Sequence, residues 1–194
     1  KNFFYLFVLM LFMFNTQAQD SNFYVGVSVG YASPGGDSMD GVEPGIDLGF
    51  AHLGYRFAEN WGVVANLNSS GHTLDDFDDA ALGVAYIGVG PMYTISVSDN
   101  MSLDIKPQMA ISMAGKFEGM GDGDDITFRG SGLVFGTSLV MGTGSGFAFS
   151  LNLDYLSAKW KEVEYAGETV DYDDISDDDA ITQFKIGAGV RYNF

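Results

Sequence analysis

From residue 22 onward, apolar and polar positions alternate with a period of two. Phe23, Val25, Val27, Val29 and Tyr31 alternate with Tyr24, Gly26, Ser28 and Gly30. Phe147, Phe149, Leu151, Leu153 and Tyr155 alternate with Ala148, Ser150, Asn152 and Asp154. Met101, Leu103, Ile105, Pro107, Met109, Ile111 and Met113 do the same against Ser102, Asp104, Lys106, Gln108, Ala110, Ser112 and Ala114. The chain ends FKIGAGVRYNF, with a large aromatic as its last residue and in strand phase. A period of two puts one class of side chain on each face of a strand. The pattern predicts eight strands, at about 22–32, 45–57, 61–70, 81–95, 101–115, 128–141, 147–158 and 180–194.

The connections between these strands alternate in length. Residues 58–60, 96–100 and 142–146 are short; residues 33–44, 71–80, 116–127 and 159–179 are long. In an up-and-down meander, all tight turns and both termini then fall at one end, and all long loops at the other. Phase breaks predict a bulge near Ala51–His52 and an irregularity in the fourth strand, where Leu82 and Val84 give way to Ile87 and Val89. Pro91 and Pro107 lie inside strands, where each removes a ladder donor, and each is expected beside a local irregularity.

The non-apolar face is mostly Gly, Ser, Ala and Asn with isolated charges. That is a poor water-facing surface and a good crowded interior. An eight-stranded barrel leaves just enough room inside for side chains. The apolar face would then meet lipid, along strands of at least the roughly 9–11 residues a tilted strand needs to cross a bilayer. Aromatics near the strand ends suit the interfaces: Phe23, Phe57, Trp61, Tyr93, Phe147, Tyr192 and Phe194 at the tight-turn end, Tyr31, Tyr155 and Trp160 toward the loops. The expected fold is therefore an all-β, eight-stranded antiparallel up-and-down transmembrane β-barrel.

The N-terminus reads differently. Residues 3–14 are an unbroken apolar run behind Lys1, too short for a membrane-spanning helix of about 20 residues. It fits the core of a cleavable secretory signal peptide. Thr16-Gln17-Ala18 places cleavage after Ala18, with Gln19 as the next choice, so residues 1–18 form the signal and 19–194 the barrel domain.

These features together resemble the small bacterial outer-membrane barrels of the OmpA/OmpX type. They are similar to the outer membrane protein β-barrel domain sequences common in Bacteroidota, whose signals often end in QAQ. The most specific stretches are YRFAENWGV (55–63) and the ending GVRYNF. The resemblance implies location in the bacterial outer membrane, contact with its lipid and lipopolysaccharide, and escort by periplasmic chaperones to the barrel-assembly machinery. Ile186, Ala188, Val190, Tyr192 and Phe194 would form the assembly signal. No peptidoglycan-binding domain follows the strands, so the single-barrel form is the closer match, and a monomer is expected.

Charge bears on partners. The chain has 26 acidic against 9 basic residues, a net charge of −17, and 20 of the acidic residues lie in the four long loops. Nucleic acid is excluded as a direct partner on this balance. Such loops are usually solvated and mutually repelling. They also offer hard oxygen ligands for weak Ca²⁺ or Mg²⁺ binding, foremost Asp171, Asp173, Asp174, Asp177, Asp178 and Asp179, with GDGDD (121–125) as a lesser case. No other cofactor is expected, and the chain has no Cys.

If the apolar phase faces outward, Asp47, Arg56, Asp104, Lys106, Asp154, Lys185 and Arg191 point inward. Opposite charges in a narrow lumen should pair, because an unpaired buried charge is costly. A catalytic alternative rests on SSGHTLDD (69–76), which brings Ser69, Ser70, His72, Asp75 and Asp76 close in sequence. No nucleophile elbow accompanies it, and neighbours this close seldom form a triad. His52, near the expected bulge, reads as a packed interior or rim histidine. The favoured function is a non-catalytic outer-membrane barrel whose acidic outer loops serve envelope integrity, adhesion or surface interaction. The alternatives are a narrow channel or transporter for small or hydrophobic molecules, and a lipid-modifying enzyme.

Overall fold

The computed structural model describes residues 23–75, 77–119, 126–165, 167–176 and 180–194. The signal-peptide expectation for residues 1–18, Asp76, the GDGDD stretch and Asp177, Asp178 and Asp179 lie outside these residues. Strands β1 (Phe23–Gly35), β2 (Gly45–Arg56), β3 (Trp61–Leu74), β4 (Phe77–Ser98), β5 (Met101–Glu118), β6 (Ile126–Gly142), β7 (Phe147–Tyr165) and β9 (Ala180–Asn193) pair antiparallel in sequence order. β9 closes the ring against β1, from Tyr24↔Asn193 to Gly35↔Thr182. The short β8 (Glu168–Asp171) pairs with the top of β7 and stands outside the ring. The result is the eight-stranded up-and-down barrel expected, plus one flap.

The tight turns agree closely with expectation, but the long loops do not. β3 and β4 continue upward as a ladder from His72↔Leu82 to Leu74↔Phe77, so the expected loop 71–80 is mostly strand. β5, β6 and β7 also extend beyond their expected ends. Short 3-10 turns occupy 37–39 and 172–174.

The bulge in β2 falls between Gly49 and Ala51, one residue from its expected place. The fourth strand has no bulge of its own at its phase break. Leu82, Val84 and Tyr86 are buried, and so are Gly88, Met92 and Thr94, while Ile87 and Val89 face out. The geometric alternation is unbroken; what changes is which face is apolar. The bulge in this region lies in β5, near Ile111–Ser112. It turns Met113 inward (3% exposed), correcting its expected outward place beside Met109 and Ile111. Pro91 and Pro107 lie opposite each other between the pairs Val89↔Met109 and Tyr93↔Ile105, where pairing lapses without a shift of register. Two residues lacking N–H groups share one gap in the ladder.

The same switch of faces occurs in β7. Phe147, Phe149, Leu151, Leu153 and Tyr155 face out, whereas Leu156, Ala158 and Trp160 are buried and Ser157 faces out. Below the switch, the exposed apolar residues form a continuous outer band. Its lower rim carries edge-on aromatic pairs, Trp61–Tyr93 and Phe147–Tyr192, each with ring centroids 4.9 Å apart. Above it, an inner cluster of Leu82, Val84, Met113, Leu156, Trp160 and Ile181 fills the barrel. The outer wall there carries ion pairs, Lys116–Glu118 at 2.8 Å and Arg129–Glu164 at 3.1 Å. The barrel is thus polar inside and apolar outside over its lower part, and the reverse over its upper part. Trp160 belongs to the inner cluster, 4% exposed, and not to the outer girdle expected of it.

The chain has two tryptophans, which makes this arrangement directly measurable. In vesicles of brominated phospholipid, Trp160→Phe, which leaves Trp61, should be strongly quenched. Trp61→Phe, which leaves Trp160, should be almost unaffected. Equal quenching would put Trp160 against lipid.

Candidate functional site

Among the described residues, buried polar side chains from the strands converge in the lumen. Its inward positions are ordered by the registers. Near the tight-turn end, Arg191 on β9 meets Asp104 on β5, Nη1 to Oδ2 at 2.6 Å. The Thr94 hydroxyl donates to Asp104 Oδ1 at 2.7 Å. The guanidinium lies 4.4 Å over the Tyr24 ring, a cation–π contact. One layer up, Lys106 Nζ donates to Ser138 Oγ at 2.7 Å, and Ser138 donates to Asn152 Oδ1 at 2.6 Å. On the facing wall, His52 bridges Ser28 Oγ (2.8 Å) and Asn66 Oδ1 (3.1 Å), and Asn66 Nδ2 donates to Gln108 Oε1 at 2.9 Å.

Higher still, Lys185 Nζ donates to Asp47 Oδ1 at 2.6 Å and lies 4.8 Å over the Tyr86 ring. Lys185 is 2% exposed and Asp104 1%. Pairs this deep are held by geometry and further hydrogen bonds, and removal of one partner leaves an uncompensated charge. Small residues make the room. A Cβ on Gly136 would collide with the Asp154 carboxylate and come within 3.3 Å of Lys106 Cε. A Cβ on Gly54 would collide with the Tyr24 ring.

Of the seven charges expected inside, four form two ion pairs: Asp47 with Lys185, and Asp104 with Arg191. Lys106 is satisfied by a hydroxyl in place of a carboxylate. Asp154 has no ion pair among the described residues, and its Oδ1 is buried without a hydrogen bond, as are Tyr86 Oη and Arg191 Nε. Arg56 sits at the tight-turn mouth, also without an ion pair among the described residues. The uncharged members Tyr24, Asn66, Tyr86 and Gln183 were missed from sequence. Their parity could have found them: Gln183 shares the phase of Lys185, and Gln108 that of Asp104 and Lys106.

The Ser-His-Asp alternative does not assemble. His72 Nε2 lies 2.9 Å from Ser70 Oγ, but Nδ1 lies 2.9 Å from the Glu43 backbone carbonyl, where a triad needs a carboxylate. Ser70 is 2% exposed and also bonded to Gln183, so no substrate reaches it. Ser69 is on the outer side of the wall. Asp75 is exposed beside Glu43, whose hydrogen bond and charge raise its carboxyl pKa above the usual range. Asp171, Asp173 and Asp174 are exposed, and among the described residues no three acidic or histidine side chains gather to hold a metal.

Little space is left along the barrel. A cavity lined by Tyr24, His52, Lys106, Ser138, Asn152 and Arg191 offers about 20 Å³ to the centres of water molecules, room for roughly one water. Above it, the inner apolar cluster closes the barrel.

Lys185→Met should destabilise the refolded barrel by about 3–5 kcal/mol in urea unfolding, because it strands Asp47. Adding Asp47→Leu should recover most of that loss. No recovery in the double variant would mean that the pair is not the source of the effect.

The profile described as "Outer membrane protein beta-barrel domain" matches residues 4–168. Among solved structures, Neisserial surface protein A (NspA) is similar, with 14% identity, a TM-score of 0.58, and coverage of 90% of this chain and 98% of that one. Ail, the attachment invasion locus protein of Yersinia pestis, has 15% identity and a TM-score of 0.50 over 90% and 100% of the two chains. The outer membrane protein OprG of Pseudomonas aeruginosa has 12% identity and a TM-score of 0.50 over 91% and 99%. At these identities the likeness is one of fold. No curated protein sequence matches the chain.

Proposed function

The chain belongs to the outer membrane protein β-barrel domain family, an integral protein of the bacterial outer membrane, and from that premise we propose that it is a non-catalytic barrel whose acidic outer surface serves surface interaction or adhesion and supports the envelope. The observation that carries this reading is the inverted upper barrel. Strands β3 to β7 run on above the apolar band, sealed inside by Leu82, Leu156, Trp160 and Ile181. They act as a rigid pedestal for the loops.

β7 carries the β7–β8 flap above the ring. Its residues Glu162, Glu168, Asp171, Asp173 and Asp174 are exposed, together with the apolar Tyr165, Val170 and Ile175. Among the described residues β8 pairs with β7 alone, which leaves its other edge open. An acidic surface with scattered apolar anchors and a free strand edge suits a basic partner. Ail is named for attachment and NspA as a surface protein, which fits the same class of role. Lipopolysaccharide phosphates bridged by Ca²⁺ or Mg²⁺ are a further partner for these acidic loops. On assembly, the outward residues Ile186, Ala188, Val190, Tyr192 and Phe194 remain the proposed recognition strand for the assembly machinery and chaperones.

Two measurements test this reading. In planar bilayers the refolded protein should show no steady conductance above roughly tens of picosiemens, as expected of a filled eight-stranded barrel; a steady larger current would favour the channel alternative. In nanodiscs at low salt the protein should bind lysozyme as a basic probe. Replacing residues 166–176 with a Gly-Ser linker should weaken that binding by about threefold or more, through the lost charges. Unchanged binding would remove the flap from the proposed surface.

A further inference from the structure

At the tight-turn end the barrel opens into a vestibule of about 330 Å³. Its wall includes Arg56 from the end of β2, Arg191 from β9, Asp99 and Asn100 from the β4–β5 turn, Ser98 and Asn193. The charges on this wall are unusual for the chain. The protein carries a net charge of −17, yet Arg56 has no ion pair among the described residues. Arg191 uses Nη1 for Asp104 at 2.6 Å, while its Nε is buried without a hydrogen-bond partner. Its side chain is 10% exposed. Arg56 therefore brings a guanidinium with no ion pair among the described residues to this wall, and Arg191 adds a second cation, fixed in place by Asp104 and the Tyr24 ring with its Nε buried. A planar guanidinium with free N–H groups is suited to oxyanions, above all to carboxylate and phosphate.

Asp99 narrows the choice. A carboxylate on the same wall repels a dianion such as phosphate and attracts an ammonium group. The wall then offers cationic groups for a carboxylate and an anionic group for an amine, and Ser and Asn side chains line it as well. The volume lies within the usual range of small-molecule sites, about 300–1,000 Å³.

We propose that the vestibule binds a small zwitterion of the amino-acid or short-peptide class. Its carboxylate contacts Arg56, supported by Arg191, and its ammonium group faces Asp99. The short turns of a barrel of this family face the periplasm, so the ligand comes from that compartment. The cavity above Arg191 has room for roughly one water, so the ligand docks at the mouth and does not pass through. This site is separate from the acidic flap, and its test is independent of the flap's role.

The probes are Ala-Ala, N-acetyl-Ala-Ala and inorganic phosphate, titrated by NMR into the refolded protein in non-ionic detergent and low-salt Tris buffer. Ala-Ala should bind saturably with a Kd on the order of 1 mM, an ordinary strength for so small a ligand. Arg56→Gln should weaken it by about fivefold or more, as loss of a charge-assisted contact would. The unfolding midpoint of that variant should not move, since Arg56 has no ion pair among the described residues. N-acetyl-Ala-Ala should bind more weakly than Ala-Ala, and Asp99→Asn should erase that difference. Absence of saturable Ala-Ala binding, or equal binding by Arg56→Gln, overturns the site. Phosphate binding tighter than Ala-Ala with the same dependence on Arg56 overturns the ligand class.

Discussion

Everything in this barrel depends on the closure of its backbone ladder. Hydrocarbon offers no hydrogen bonds, so each N–H and C=O at membrane depth must find its partner within the protein. β9 meets β1 along nearly its whole length, and the ring has no open edge at the level of the apolar band. The exceptions are informative. The bulges at Phe50 and near Ile111 shift the register and resume pairing at once, and the lapse that leaves the register unshifted sets Pro91 opposite Pro107, which have no N–H to leave unsatisfied. The β8 edge that has no strand partner among the described residues lies above the band, where water can satisfy it.

Once the ladder is closed, the solvent on each side decides the side chains. Along β4 and β7 the inward and outward positions keep one geometric phase, yet the chemistry changes sides. In the lower part lipid takes the apolar face, and the lumen is left with Asp, Lys, Arg, Asn, Gln and Ser. These must satisfy one another in a narrow space of low dielectric. In the upper part water surrounds the wall, and the interior is mostly a hydrophobic cluster around one hydrogen-bonded group of Ser70, His72 and Gln183. The layered network and the apolar plug are therefore consecutive solutions to the same problem, the filling of a cylinder whose surroundings change along its axis. The two proposed binding surfaces lie at the ends, because the middle is full.

Much of this was legible in the sequence. Strand number, order of long and short connections, and the outward positions of the lower band follow from a period-two pattern, which one pleated strand expresses by itself. The bulge in β2 was readable to within one residue because the outward phase shifts there. Leu82 and Val84 were misread for the same reason in reverse. A hydrophobic phase change signals a bulge only if the environment is constant, and here it is not. Trp160 was assigned to a girdle because aromatics near strand ends favour interfaces; it lies beyond the membrane and packs inward. Met113 followed its strand's pattern on paper, and the β5 bulge reversed it.

The inward charges were readable one by one, but their partners were not. Asp47 pairs with Lys185 across 138 residues of sequence, and Asp104 with Arg191 across 87. Such choices depend on register and on reach across the lumen. Asp154 and Arg56, which share the same parity, are left without ion pairs among the described residues. Ser70 and His72 are neighbours in sequence and do meet, yet the third partner is the Glu43 backbone carbonyl, which no spacing of carboxylates could have indicated. By itself the sequence determined the barrel, its direction of exposure in the lower part and the acidity of its outer end, because these depend on local alternation and composition. The tertiary structure alone decided where the barrel inverts, which charges pair and which side chains gather at the mouth, because those depend on distances across a closed ring.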